Sequence, residues 1–173
     1  MNLPTPSLMG SRPARRGVLL LLLLTAVALV AGLARRAPQA AGTPVVINGT
    51  AVPAVPTLNP EWVAQGAIVY AQECATCHGA KLEGAADWKR PLPDGSFPPP
   101  PHDNSGHTWH HPDSLLLAII ADGGDPAYHS KMPAFSDNLA EQEQWAVLEF
   151  IKSSWGRNEA EFQWWMTATG SGS

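Results

Sequence analysis

The sequence predicts an all-α domain, three to five short helices joined by long loops, set behind an N-terminal apolar segment. Three observations predict it. Apolar residues recur at helical spacing in three short stretches, 62–73, 112–122 and 139–155. The chain carries 17 prolines, which interrupt regular structure between those stretches. Val18–Ala34, VLLLLLLTAVALVAGLA, is an unbroken run without a charge. The 173 residues then divide into 1–36, an anchor or signal segment; 37–60, a Pro- and Ala-rich linker; 61–156, one small domain; and 157–173, a C-terminal extension.

Residues 18–34 span 17 positions, with Arg12, Arg15 and Arg16 before them and Arg35 and Arg36 after. A cleaved signal has an apolar core of roughly 7–15 residues and a spanning helix roughly 17–25. The run fits a retained transmembrane helix better than a cleaved signal, because the best small-residue cleavage site is followed by Arg35-Arg36. The arginine bias puts the N-terminus inside. The expected location is therefore the cell membrane, single-pass, with the following domain on the extracytoplasmic (periplasmic) side. Residues 37–60, with five prolines, read as an extended, semi-rigid tether. Asn48-Gly49-Thr50 matches a glycosylation sequon and reads as chance.

Charge narrows the partners. The formal net is −4, but from residue 37 onward 15 acidic residues face 6 basic ones, a balance of −9. Nucleic acid needs a basic footprint and is excluded. A protein partner with a basic docking face is favoured.

The first helix, Trp62–Glu73, offers Trp62, Val63, Gly66, Ile68, Val69 and Tyr70 as a packed face, with Asn59 as cap and Pro60 and Glu61 in the first turn. Gly66 costs roughly 1 kcal/mol against Ala in a helix, so a close helix crossing there is the expected reason for it.

Directly after it comes Cys74-Ala75-Thr76-Cys77-His78, with no other cysteine in the chain. C-x-x-C-H is the attachment pattern of a c-type haem. Two thiols one helical turn apart can each add to a haem vinyl group as a thioether. The adjacent His78 then lies under the iron as proximal ligand. Zinc would need two further ligands at suitable spacing. One covalent haem c is the cofactor expected.

The sixth ligand should be Met132, in Ser130-Lys131-Met132-Pro133-Ala134-Phe135. Pro133 forces extended geometry on it, which suits a loop presenting a thioether. His129 is the runner-up, and Met166 reads as a packing residue. His/Met ligation raises the reduction potential and closes both axial positions, so the iron exchanges electrons rather than binding substrate.

Residues 94–113 form a long loop with His102, His107, His110 and His111. The favoured reading is a haem-covering loop in which Trp109, His110 or backbone amides hold the propionates. The other is a copper or zinc site. A helix follows over 112–122, with Pro112 first, Gly123-Gly124 as stop, and Leu115, Leu116, Ile119 and Ile120 as its apolar stripe. The last helix, 139–155, has Asp137 as cap, Trp145, Leu148, Ile151 and Trp155 as its face, and Gly156 as stop. Beyond it, Phe162, Trp164 and Trp165 are expected to pack back on the domain rather than to meet a partner or a bilayer.

From about residue 60 to 156 the chain resembles the class I cytochrome c family. Gly66, Tyr70, Cys74, Cys77, His78, Gly79, Met132-Pro133 and the aromatic last helix carry the resemblance. It implies that the first and last helices cross, that haem sits in a pocket with one edge exposed, and that Met132 is the distal ligand. The activity expected is one-electron transfer between redox partners of a respiratory chain, by a carrier rather than an enzyme. Alternatives are a haem subunit of a larger oxidoreductase complex, a haem-based sensor, or a copper-handling protein using the His-rich loop.

Overall fold

A computed structural model of the chain describes residues 45–170. The predicted membrane segment, 18–34, and the start of the linker lie outside the described residues. Among the described residues no helix is long and apolar enough to cross a membrane.

The linker is not wholly extended. Val46–Ile47 (β1) and Thr50–Ala51 (β2) pair antiparallel around Asn48-Gly49. Both turn residues have positive φ, 50° and 78°, the geometry in which Asn-Gly is the favoured two-residue loop. The Asn-Gly pair of the sequon thus has a structural role.

Helix α1, Pro60–Val69, begins where Asn59 Oδ1 accepts from the amides of Glu61 and Trp62, at 2.9 and 3.5 Å. Pro60, with no amide to waste, fits the first position. The helix continues past its predicted core through a π-helical turn, Tyr70–Cys74, into α2, Ala75–His78. Gly66, Val69 and Tyr70 are buried. Ile68, expected on the packed face, is 62% exposed, because at 100° per residue it falls away from the line through 66, 69 and 70.

Helix α3, Asp113–Asp122, is preceded by Pro112 as its cap residue rather than beginning with it. Leu116 and Ile120 are buried and Leu117 packs beside them, but Leu115, expected in the stripe, is 38% exposed. Asp113 is turned inward, and residues 113, 116, 117 and 120 share one face at helical spacing. A buried carboxylate therefore sets the rotation of a helix that looks purely apolar in sequence.

Helix α4, Glu141–Lys152, starts later than predicted. Asp137 does not cap it; Phe135 to Leu139 form a turn instead, with the Leu139 amide donating to Phe135 O at 2.8 Å. The cap residue is Ala140, whose amide donates to Glu143 Oε2 at 2.9 Å. Leu148, Ile151 and Trp155 are buried as expected, and Trp145 is partly so. Gly156 does not terminate this helix; it caps α5, Arg157–Thr169, a 13-residue helix that occupies most of the C-terminal extension. Its Trp165 and Gln163 are buried, so the extension packs on the domain.

Helices α1 and α4 cross at Gly66. A Cβ there would run into the backbone carbonyl of Ala146 and come within 2.9 Å of Phe150 Cβ. The crossing that Gly66 suggested is present, and Tyr70 packs beside it with its ring 5.2 Å from that of Phe150.

Candidate haem site

The π-helical turn delivers Cys74 to the start of α2, and α2 carries Cys77 and His78. Such turns occur often at functional positions. Neither cysteine is in a disulfide. Burial first, then the neighbouring Glu73 and Cys77, pushes the Cys74 thiol up to about 11, so it stays protonated at neutral pH.

His78 is buried, and its Nδ1 lies 2.9 Å from Pro100 O. The carbonyl can only accept, so Nδ1 carries the hydrogen and Nε2 keeps its lone pair. Burial lowers the His78 pKa, outweighing the opposing effect of the Pro100 hydrogen bond, which favours the neutral ring a metal needs. Pro98 to Pro101 form an unbroken proline run, extended and without amide donors. The run is pinned beside α2 by Gly84 and Ala85: Gly84 N donates to His78 O at 2.8 Å and Ala85 N to Pro99 O at 2.9 Å. Gly84 has φ +61°, and a Cβ on it would sit 2.8 Å from Pro101 Cα. Only glycine lets the strand come this close.

His102 was expected in the covering loop. Its ring instead stacks on His78, 4.0 Å between centroids and 22° between planes, and meets Tyr70 edge-on at 5.8 Å. Its carbonyl accepts from Trp155 Nε1 at 2.8 Å, tying the site to the end of α4. Desolvation by burial, then the neighbouring His78 and His107, pushes its pKa well down. His107 stacks on Trp88 at 5.0 Å, His111 meets His107 edge-on at 5.4 Å, and His110 lies against Trp109 at 3.9 Å. Among the described residues no three His, Cys, Asp or Glu side chains form a group able to hold a metal ion.

Met132 is partly buried against the same core cluster as Cys74, Ala75 and Trp109. Its loop is fastened to the end of α3: Gly124 N donates to Met132 O at 3.2 Å, Met132 N to Ser130 Oγ at 3.3 Å, and Phe135 N to Ile120 O at 3.1 Å. His129 is exposed, in left-handed backbone at φ 52°. Trp109 is partly buried, and its Nε1 is shielded from solvent without a hydrogen-bond partner.

Sequence reasoning missed Pro100 and the stacking role of His102. The signal for Pro100 was the proline run itself, whose carbonyls have no neighbouring amides to compete for them. Nothing local marks which of four histidines turns inward.

Two thiols on adjacent turns and a neutral imidazole with Nε2 available define a covalent haem-binding domain. The family model described as Cytochrome c matches residues 63–155, more than half of the chain, and the protein belongs to the cytochrome c family. No curated protein matches the chain, and no solved structure does. As a member of this family the chain binds covalent haem c and serves haem-based electron transfer. The residues present fit that group: the Cys74–Cys77 pair, the His78 tautomer, and an unpartnered indole N–H at Trp109 beside the core.

Proposed function

We propose that the chain is a membrane-tethered class I cytochrome c that passes single electrons between partners of an extracytoplasmic respiratory chain. The observation that carries this reading is the His78 imidazole, oriented through Nδ1 by Pro100 O at 2.9 Å, directly after Cys77. Cys74 and Cys77 would hold haem c as thioethers, His78 would serve as the proximal ligand and Met132 as the distal one, and Trp109 would donate to a propionate. Bound haem supplies one-electron exchange between ferric and ferrous iron. Pro100 keeps the His78 tautomer fixed, and the hydrogen bonds at Gly124 and Phe135 hold the Met132 loop in one place. With His78 and Met132 both serving as ligands, the iron would exchange electrons and would not bind substrate, which supports a carrier over an enzyme.

The apolar run 18–34 and the Pro-rich segment 37–60 support a tether on the periplasmic face of the cell membrane. Tethering raises the effective concentration of the domain near membrane complexes. The balance of −9 from residue 37 onward supports partners with a basic docking face. A mass spectrum of the purified, acid-denatured protein tests the attachment and the tether together. The expected result is the full chain, including residues 1–36, plus the mass of one haem. A chain without haem overturns the attachment, and a chain starting near residue 37 overturns the anchor.

A further inference from the structure

Helix α5 lies beyond the stretch matched by the family, 63–155, yet it grips the segment that carries Trp109. Phe162 meets the Trp109 ring edge-on, 5.8 Å between centroids and 86° between planes, and lies 5.7 Å from His110. The next residue, Gln163, is buried; its Nε2 donates to Asp113 Oδ1 at 2.6 Å and to His111 O at 3.2 Å. Thr167 Oγ1 accepts from the Asp113 amide at 3.0 Å. Lys152 Nζ closes the arrangement on the Asp113 carboxylate at 2.8 and 2.9 Å. One helix thus holds the ring of Trp109 and the backbone that follows it, while Trp109 Nε1 is left with no protein partner. A buried donor without a partner is costly, and a well-packed surrounding is what keeps it in place.

We propose that α5 is a positioning clamp: through Phe162 and Gln163 it fixes Trp109 so that the indole N–H points at a haem carboxylate. The inference rests on the reading of Trp109 as a propionate donor. A hydrogen bond to an ionised carboxylate favours the charged form. Ferric haem, one charge more positive than ferrous, favours it too, so the reduction potential varies with pH across that titration. Loosening Trp109 moves the inflection upward.

The experiment measures reduction potential against pH for the full-length haem-loaded protein, Trp109→Phe, Phe162→Ala and the double variant. Trp109→Phe is expected to raise the inflection by about one pH unit. Phe162→Ala should raise it by a smaller amount and add nothing in the Trp109→Phe background. The titratable and charged groups around Trp109 are His110 in contact, His107 and His111 on the same turn, Glu161 on α5, and the Asp113–Lys152 pair. His110 touches both Trp109 and Phe162, so the series is repeated in a His110→Gln background: a shared shift that persists there belongs to the carboxylate, and one that disappears belongs to the imidazole and overturns the proposal. An unchanged profile in Trp109→Phe removes the propionate reading. A shift in Trp109→Phe with none in Phe162→Ala, or with additive effects in the double variant, overturns the clamp. If Phe162→Ala does not retain haem, Phe162→Leu keeps the apolar bulk without the aromatic edge and carries the same expectations.

Discussion

The α1–α4 crossing and the junction of α3, α4 and α5 are held by opposite means. At the crossing, Gly66 lies against the backbone of Ala146, with Val147, Leu148 and Ile151 buried nearby and Tyr70 packed on Phe150. Shape does the work there. At the junction, a carboxylate, an ammonium, an amide and a hydroxyl (Asp113, Lys152, Gln163 and Thr167) are joined by short hydrogen bonds. The first region tolerates no added atom. The second tolerates no missing partner. The crossing belongs to the family-matched stretch, whereas Gln163 and Thr167 of the junction lie outside it.

The largest effect is expected at the junction. Asp113→Ala leaves the ammonium of Lys152, whose side chain is 15% exposed, without its counter-charge and Gln163 without its closest acceptor. Breaking such a pair costs about 3 kcal/mol, read by denaturant unfolding. Replacing Asp113, Lys152 and Gln163 together by Leu, Met and Leu should cost far less, because no buried charge is left unpaired and only the His111 carbonyl loses a donor. A triple variant as unstable as Asp113→Ala would mean that the region is held by shape after all.

Next comes the crossing. Gly66→Ala pushes a methyl into the Ala146 carbonyl, and the overpacking, about 2 kcal/mol, outweighs the gain of roughly 1 kcal/mol in helix propensity. A net rise in stability on thermal unfolding would show that the helices can part freely. Trp155→Phe, which keeps the ring but loses the 2.8 Å bond to His102 O, should cost about 1 kcal/mol.

The smallest effect is the pH response of the histidine turn. Burial, with the neighbouring histidines and Lys89, lowers the His107 pKa from 6.5, and burial with His110 lowers that of His111. Between the lowered values and 6.5 the unfolded chain binds more protons than the folded one. Stability is therefore full above about 6.5 and falls as pH drops through it. His107→Gln with His111→Gln should reduce that slope in unfolding curves taken between pH 5 and 7, the contribution of buried His102 remaining.

The same contrast explains what the sequence made legible. The α1–α4 crossing was readable because a glycine in an apolar helix has few other reasons to be there, and Cys74-Ala75-Thr76-Cys77-His78 was readable because its spacing is its chemistry. Met132 was singled out by Pro133. The rotation of α3 was not readable, since the partners of Asp113 lie 39, 50 and 54 positions away. Asp137 looked like a cap because it precedes an acidic helix start, but the buried side chains of Phe135 and Leu139 draw that segment into a turn. Gly156 looked like a stop and serves as a start, since its amide is held by Asn104 Oδ1 at 2.8 Å across the domain.

His78 and Met132 are proposed to close the iron of a covalently held haem together. The most direct test is the far-red absorption of the ferric protein, where methionine–iron ligation gives a weak charge-transfer band. The band is expected in the full-length protein and should be lost in Met132→Ala, with the haem still attached through Cys74 and Cys77. A ferric spectrum without the band, unchanged by Met132→Ala, would contradict it.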